Sequence, residues 1–426
     1  MKYNIFVIGL DDFHLSLLEN INDGRDYTFN NLLPYNMIIN PPKYDMDKII
    51  SLGKKELNDF KEDIHGIIGH WDFPTTSLLP VFRKYCGLDG PRLENVLITE
   101  NKYWTRIRSK KSIPGCTPAF EAVNPFDINC TKNISLPYPF WLKPVVSFSS
   151  QMAFYIKDEE HLKEAIAQIK RGIGRFGEPF EKFLELADMP EDIPVDVNGY
   201  YCIAEEPVVG KQCTAEGYVK DFKPNVYAIV DSYREGKFHS SFSRYQLPSN
   251  LPPAVKDRIR TKCIRITNEI GLNNTTFNIE IFWDKEKDKL CLLEINSRLS
   301  KSHSPIFEDV AGMTQHKVAI DIELGYEPEF SIKNGKYNVA AKFMLRRHED
   351  GIVKRIPAEK EVCELENKFP GTRILIEVQE GDVLSELLGQ DSYSYELAVI
   401  FMGGNNTKEL LNNYERLKKE LKFRIE

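Results

Sequence analysis

The order of hydrophobic and polar positions divides the chain into three stretches with different periodicities. Residues 3–10 (YNIFVIGL) and 64–69 (IHGIIG) are short apolar runs, the pattern of strands buried on both faces, and helical stretches follow at 12–20 and 75–86. That alternation predicts an α/β layer over residues 1–100. From 101 to 330 the pattern changes: a helix around Lys102, a strand at 140–146 (FWLKPVV), a helix at 158–172, several strands between 200 and 246, a long helix near 252–270 and two further strands. The polar, proline-containing residues 187–198 predict a mobile connection. Over 331–426, alternating segments at 338–346, 373–379 and 394–401 and a helix at 406–421 predict a small α+β domain. The expected fold class is therefore α/β and α+β in three parts.

The most informative segment is 277–298, FNIEIFWDKEKDKLCLLEINSR, in which two strand-like runs flank a charged loop. A β-hairpin centred on Lys287 sets Glu280 opposite Glu294 and Asn278 opposite Asn296, all on one face because side chains two apart point the same way. Directly opposed carboxylates repel. A hard divalent cation with oxygen ligands relieves that repulsion, and magnesium characteristically takes one or two carboxylates plus substrate phosphates. Lys143 poses a matching problem: it lies between Phe140-Trp141-Leu142 and Pro144-Val145-Val146, where an ammonium needs a buried anion.

Composition narrows the function classes. A chain of 426 residues exceeds one hydrophobic core, in keeping with three units. Lys and Arg number 56 against 63 Asp and Glu, with no long basic tract, which argues against a nucleic-acid partner. The apolar run Ile5 to Leu10 is too short for a membrane span and runs straight into Asp11 and Asp12, unlike a signal peptide. Eight scattered cysteines without a C-x-x-C pair suggest reduced thiols and a cytoplasmic location, and the histidine spacing gives no zinc site. The absence of G-x-G-x-x-G after the first strand argues against a nicotinamide-dependent dehydrogenase.

The run LLEINSR, with the acid of FNIEIFWD upstream, resembles the metal-binding strands of the ATP-grasp superfamily, and the order lysine, lysine, hinge acid, strand acid, E-x-N-x-R is similar to the family's over residues 100–325. The look is nearest to biotin-carboxylase-like and amino-acid-ligase members. The resemblance implies an N-terminal Rossmann-like, pre-ATP-grasp domain (1–100), a central ATP-grasp fold (101–330, lid about 145–200) and an α+β C-terminal domain (331–426). It implies that Glu280, Glu294 and Asn296 hold Mg2+, or Mn2+ in its place. By the same resemblance Arg298 and Lys143 act on the transferring phosphoryl group, and Lys102 and Lys143 touch the α- and β-phosphates. The loop Ser147 to Phe154, including Ser149 and Ser150, would cover the phosphates but lacks the family's glycines, which makes it stiffer. On the adenine side the implied contacts are Glu205 for N6, with Glu206 beside it, and the backbone near Val208 for N1. Gln212 stands where relatives carry a ribose-binding acid, with Glu216 four residues on.

The activity implied is an ATP- and magnesium-dependent ligase that activates a carboxylate as an acyl phosphate and passes it to an amine, releasing ADP and phosphate. The alternatives are a carboxylase-type or formate- or bicarbonate-activating enzyme, and a module that only binds ATP. The implied partners are a small-molecule carboxylate and an amine, with a homodimer as the assembly seen in relatives. His303, Arg346, Arg347, His348 and the run Gln390-Asp391-Ser392-Tyr393 are candidates for the substrate pocket, His303 to orient a carboxylate or serve as a base, with a surface turn as its bland alternative.

Overall fold

The computed structural model describes every residue except Met1, Asn40, Ser149, Ser150, Lys333, Gly389 and Ser392. The chain opens with three parallel strands, β1 (Lys2–Ile8), β2 (Asp26–Leu32) and β3 (Gly66–Ile68), in the order β2-β1-β3. β1 and β3 are the two apolar runs seen in the sequence. β2 (DYTFNNL) was not expected, because as a half-buried edge strand it has no continuous apolar run. Helices Asp12–Glu19 and Thr75–Tyr85 follow β1 and β3 as the periodicity indicates, the first started by the Asp11 carboxylate accepting from the His14 N–H at 2.7 Å.

A second, antiparallel sheet consists of β4 (Phe120–Val123), β5 (Phe140–Pro144), β6 (Phe154–Ile156) and β7 (Cys202–Glu205), in the order β4-β7-β5-β6. Helices Glu159–Gly172 and Gly174–Leu184 follow β6 in sequence, and Phe140, Leu142, Ile156, Leu162, Ile169 and Ala204 form a core of this unit's own. The unit therefore runs from about residue 120 to 205, wider than the expected lid at 145–200, because β4, β5 and β7 lie outside that interval. The expected mobile connection 187–198 is instead tied to helix Lys102–Ser112. Trp104 Nε1 donates to the Pro194 carbonyl (3.0 Å), Asn101 Nδ2 to the Val197 carbonyl (2.9 Å), and Arg108 holds both oxygens of Asp192 (2.6 and 2.7 Å). A polar segment is ordered when neighbouring side chains satisfy its backbone.

The third sheet has eight strands. It contains β8 (Lys211–Lys220), β9 (Lys223–Glu235), β10 (Ser241–Leu247), β11 (Thr275–Asp284), β12 (Lys289–Asn296), β13 (Val339–Arg347), then β15 (Thr372–Ile376) and β16 (Tyr395–Gly404), while β14 (Val353–Arg355) pairs separately with β17 (Arg424–Ile425). The order is β12-β11-β8-β9-β10-β13-β16-β15. β10 pairs antiparallel with β13 from Arg244↔Phe343 to Leu247↔Ala340. Residues 331–426 form the expected small α+β unit, with a core of its own that includes Val339, Phe343, Ile400 and Leu417, and its strands β13, β16 and β15 continue the central sheet. Helix Pro253–Ile270 buries Val255, Ile259, Cys263, Ile266 and Ile270, a stripe at three- and four-residue spacing. Among the described residues no helix is long and apolar enough to cross a membrane.

Candidate functional site

β11 and β12 form the expected hairpin, with Asn278↔Asn296, Ile279↔Ile295 and Glu280↔Glu294 as partners. Towards the turn the pairing shifts by one, from Ile281↔Leu292 to Asp284↔Lys289, so Leu293 is an extra residue. This β-bulge lets a turn not centred on Lys287 still bring the two acids face to face. Burial, then the neighbouring Glu294 carboxylate, pushes the Glu280 carboxyl well above the usual carboxylate range.

Each acid leans on a donor. Glu280 Oε2 accepts from Gln212 Nε2 at 2.6 Å, and Glu294 Oε1 lies 3.0 Å from Lys102 Nζ. Asn296 donates its amide nitrogen to Asn278 Oδ1 (3.1 Å), which leaves its own Oδ1 as the atom suited to a cation. Two buried carboxylates that repel, beside an amide oxygen, fit a hard divalent ion that completes its shell with phosphate and water. No group of three or more His, Cys, Asp or Glu suited to a metal occurs among the described residues, so the set stops at two carboxylates.

Lys102 is the first residue of its helix because Asn101 caps it, Oδ1 accepting from the N–H groups of Tyr103 (3.0 Å) and Trp104 (3.2 Å). Lys102 Nζ also reaches the Ser147 carbonyl at 2.5 Å, at the start of the serine loop. One helical turn on, Arg106 points the same way. Its Nε bonds Glu205 Oε1 at 2.5 Å and its NH2 the Leu293 carbonyl at 2.6 Å. Lys143 Nζ takes the other oxygen of Glu205, at 2.6 Å. Burial alone would raise the Glu205 carboxyl, but Arg106 and Lys143 hold it down at about 2. Glu205, expected to read adenine through its side chain, is instead the buried anion that Lys143 requires, and both its oxygens are engaged.

Gln212 and Glu216 also differ from expectation. Gln212 bridges Glu280 to Arg234, whose Nε donates to its Oε1, so the amide meant for a ribose is held between an acid and a guanidinium. Glu216 is fully buried and accepts from His303 Nδ1 at 2.7 Å. His303 is buried edge-on to Tyr245 (ring centroids 4.7 Å apart), not on a surface turn, and its Nε2 has no partner among the described residues. Arg298 pairs with Asp72 of the N-terminal layer. Arg346 is held by Asp391 (3.0 Å), Glu396 (2.7 Å) and the Phe242 carbonyl (2.6 Å), a closed knot.

These groups open onto one cavity of about 960 Å³ between the four-stranded sheet and the eight-stranded one. Its wall contains Lys102, Lys143, Glu205, Glu206, Val208, Gln212, Glu280, Glu294, Asn296 and Arg298, every site residue expected from the sequence apart from Ser149 and Ser150, which lie outside the described residues. His303, Arg346, Gln390, Asp391 and Tyr393 line it too, whereas Arg347 and His348 do not, and Ser392 lies outside the described residues. Sequence reasoning missed Asp72, Arg106, Arg234 and Lys342, whereas Lys301 belongs to the stretch Ser300-Lys301-Ser302-His303-Ser304 after the metal strand, where the sequence placed the substrate. Arg106 had a signal, since it stands four residues after Lys102 on a helix; the others meet the site only through long-range packing.

A small antiparallel sheet facing a large one, with Lys143 on the first, Lys102 at the start of a helix that lies in sequence between the N-terminal layer and the small sheet, and paired acids on the second, defines the ATP-grasp class of fold. Residues 136–305 match the family of the ATP-grasp domain, and the chain carries such a domain. A D-alanine–D-alanine ligase from Acidiphilium cryptum is 24% identical over 169 residues, 38% of this chain and 46% of that protein, so the match spans just under half of the relative's length. The fold is shared end to end with an L-amino acid ligase from Bacillus licheniformis, at TM-score 0.74 and 16% identity over 100% of this chain and 99% of the other. A biotin carboxylase from Campylobacter jejuni is similar at TM-score 0.64 and 11% identity, over 99% and 92% of the two chains.

Proposed function

We propose that the protein is an ATP-dependent ligase that joins a small carboxylic acid to a small amine through an acyl phosphate. The observation that carries the reading is the meeting of Glu280 and Glu294 with Lys102, Lys143 and Arg298 in one cavity. A metal-binding acid pair, fixed cations and a guanidinium supply what phosphoryl transfer needs, which is positioning and charge neutralisation more than covalent catalysis. The names of the relatives, both of which join carboxylates to amines, support the same class.

In this mechanism an oxygen of the substrate carboxylate attacks the γ-phosphorus of ATP, the bond to the β–γ bridging oxygen breaks, and ADP departs. The amine nitrogen then attacks the acyl carbon, the bond to the phosphate oxygen breaks, and inorganic phosphate leaves while the nitrogen gives up a proton. Glu280, Glu294 and Asn296 would hold a magnesium ion, which when bound neutralises phosphate charge and orients it for in-line transfer. Lys143, set in place by Glu205, and Lys102 bind the phosphates. Arg298, braced by Asp72, orients the carboxylate and the transferring group. His303, whose Nδ1 proton is fixed on Glu216, presents Nε2 as the base that takes the amine proton. The hinge from Glu206 to Gly210 offers the adenine backbone groups, with Val208 among them.

Nucleotide product analysis tests this with ATP, magnesium and pooled carboxylic acids and amines. The native protein forms ADP and phosphate only when a carboxylate is present, and Glu294→Gln loses at least roughly 100-fold of that turnover. AMP and pyrophosphate as products would overturn the acyl-phosphate mechanism.

A further inference from the structure

Most cations in the cavity wall already have their anions: Lys102 has Glu294, Lys143 has Glu205, Lys211 has Asp231, Arg298 has Asp72, and Arg346 has Asp391 and Glu396. Arg234 has no ion pair among the described residues but bonds Gln212 and the Ser240 carbonyl, which leaves Lys301 and Lys342. Lys301 Nζ rests 4.0 Å from the ring centre of Trp71, and the one side-chain hydrogen bond of Lys342 runs to Ser302 Oγ at 3.2 Å. Among the described residues neither ammonium pairs with a carboxylate, yet both line the cavity. Glu377, in the same cavity wall, attracts both ammoniums, and Asp72 and Asp11 attract Lys301, all from beyond ion-pair distance, so two partly buried cations share carboxylates that neither one contacts and remain costly until an anion joins them. Burial and Lys342 together push Lys301 down to about 8.

Their position says which anion. Lys301 stands between Arg298 and His303 in sequence and rests on Trp71, next to the Asp72 that braces Arg298, while Lys342 reaches the same cavity from β13 and bonds Ser302. The carboxylate to be activated belongs beside Arg298 and the phosphates. We propose that Lys301 and Lys342 form a subsite for a second anionic group, carried by the amine substrate a few bonds from its nitrogen: a carboxylate, as in an amino acid, or a phosphate, as in a phosphorylated amine. Lysines, as compact point charges, suit a single anionic oxygen cluster of either kind, where a bidentate fork would favour one geometry. The inference rests on the ligase reading for the identity of the amine, but the anion site itself does not.

The test therefore has one arm independent of turnover. The native protein, with MgATP present to shield Lys102 and Lys143, is treated at pH 8 with pyridoxal 5′-phosphate or pyridoxal, reduced with borohydride and mapped by peptide mass spectrometry. Labelling at Lys301 or Lys342 is expected to be at least roughly tenfold faster with the phosphorylated aldehyde, since a neighbouring ammonium attracts its anion. Acetate or inorganic phosphate, neither of which reacts with the aldehyde, should protect, the better of the two naming the carboxylate or the phosphate, and acetamide should not. Lys342→Gln should abolish the preference at Lys301 while leaving the KM for MgATP within about twofold. Equal rates for the two aldehydes, or equal protection by acetamide, overturns the subsite. In the turnover arm, ADP formed as readily with ethylamine as with glycine or O-phosphoethanolamine also overturns it, while leaving the ligase reading intact. An anion preference in labelling without ADP from any substrate pair does the reverse: the subsite stands and the ligase reading falls.

Discussion

His303 lines the cavity with its Nδ1 fixed on a fully buried carboxylate and its buried Nε2 without a partner among the described residues, which leaves Nε2 as the ring atom free to accept a proton. His303→Gln is expected to lower kcat by about 10²–10⁴ with little change in the KM for MgATP, measured by steady-state ADP release. Glu216→Gln should cost less and should alter the limb of the pH–rate profile that reports the base, since the carboxylate positions the ring and does not touch substrate. At this scale the sequence was partly legible. Residue types suited to phosphate and metal stood out at Glu280, Glu294, Asn296 and Lys143, and the apolar flanks of Lys143 required an anion. Which anion was hidden, because Arg106 and Glu205 are 99 positions apart and Arg298 meets Asp72 across 226. The spare acids and amides near a motif, Glu205, Gln212 and Glu216, took their roles from that packing and not from their spacing.

Among the elements, the hairpin was the most readable because strand periodicity fixes which residues share a face. Its register at the site is correct only because Leu293 bulges, a feature that no alternation pattern reveals. Another feature invisible in the sequence is an aromatic clasp over the cavity mouth. Tyr155 of β6 stacks on Phe238 at 4.5 Å, Phe238 meets Tyr393 edge-on at 5.5 Å, and the Tyr155 N–H donates to Tyr393 Oη at 3.2 Å. Phe238 and His239, both with positive φ (59° and 49°), lie in the turn between β9 and β10. The clasp joins the small sheet, that turn and the C-terminal loop. Aromatic pairs contribute about 0.5–1.5 kcal/mol each, so Phe238→Ala should raise the KM for MgATP by roughly two- to tenfold. It should also increase phosphate release without amine, because an ajar cavity admits water to the acyl phosphate. Unchanged coupling of phosphate release to amine would show that the rings do not hold the cavity closed.

Across the whole molecule, helix Ser304–Ala311 joins the β11–β12 hairpin to the C-terminal strands, with Arg373 of β15 reaching Glu308 at 2.7 Å and Asp309 only at 3.8 Å. Burial pushes the Asp309 carboxyl up to about 7, against which Arg373 pulls weakly. A carboxyl raised in the folded state favours folding while protonated, so that contribution is present below the unfolded value near 3.8 and is lost as pH rises through about 7. Between those limits stability falls by up to about 1.4 kcal/mol per pH unit from this group. Asp309→Asn should therefore be more stable than the native protein at pH 8 and should lose the advantage at pH 5, as read by urea unfolding at both pH values.

The ladder between β10 and β13 has a further meaning for how such a protein can change its substrates. Glu280 on β11 and Lys342 on β13 belong to one sheet, separated by β8, β9 and β10, so roughly 20 Å of hydrogen-bonded backbone spacing, not a hinge, lies between the acids and the proposed anion subsite. Side chains on β13 can thus be exchanged without altering the hairpin that carries Glu280 and Glu294, which makes this strand a place where selectivity can drift while the acid pair stays fixed.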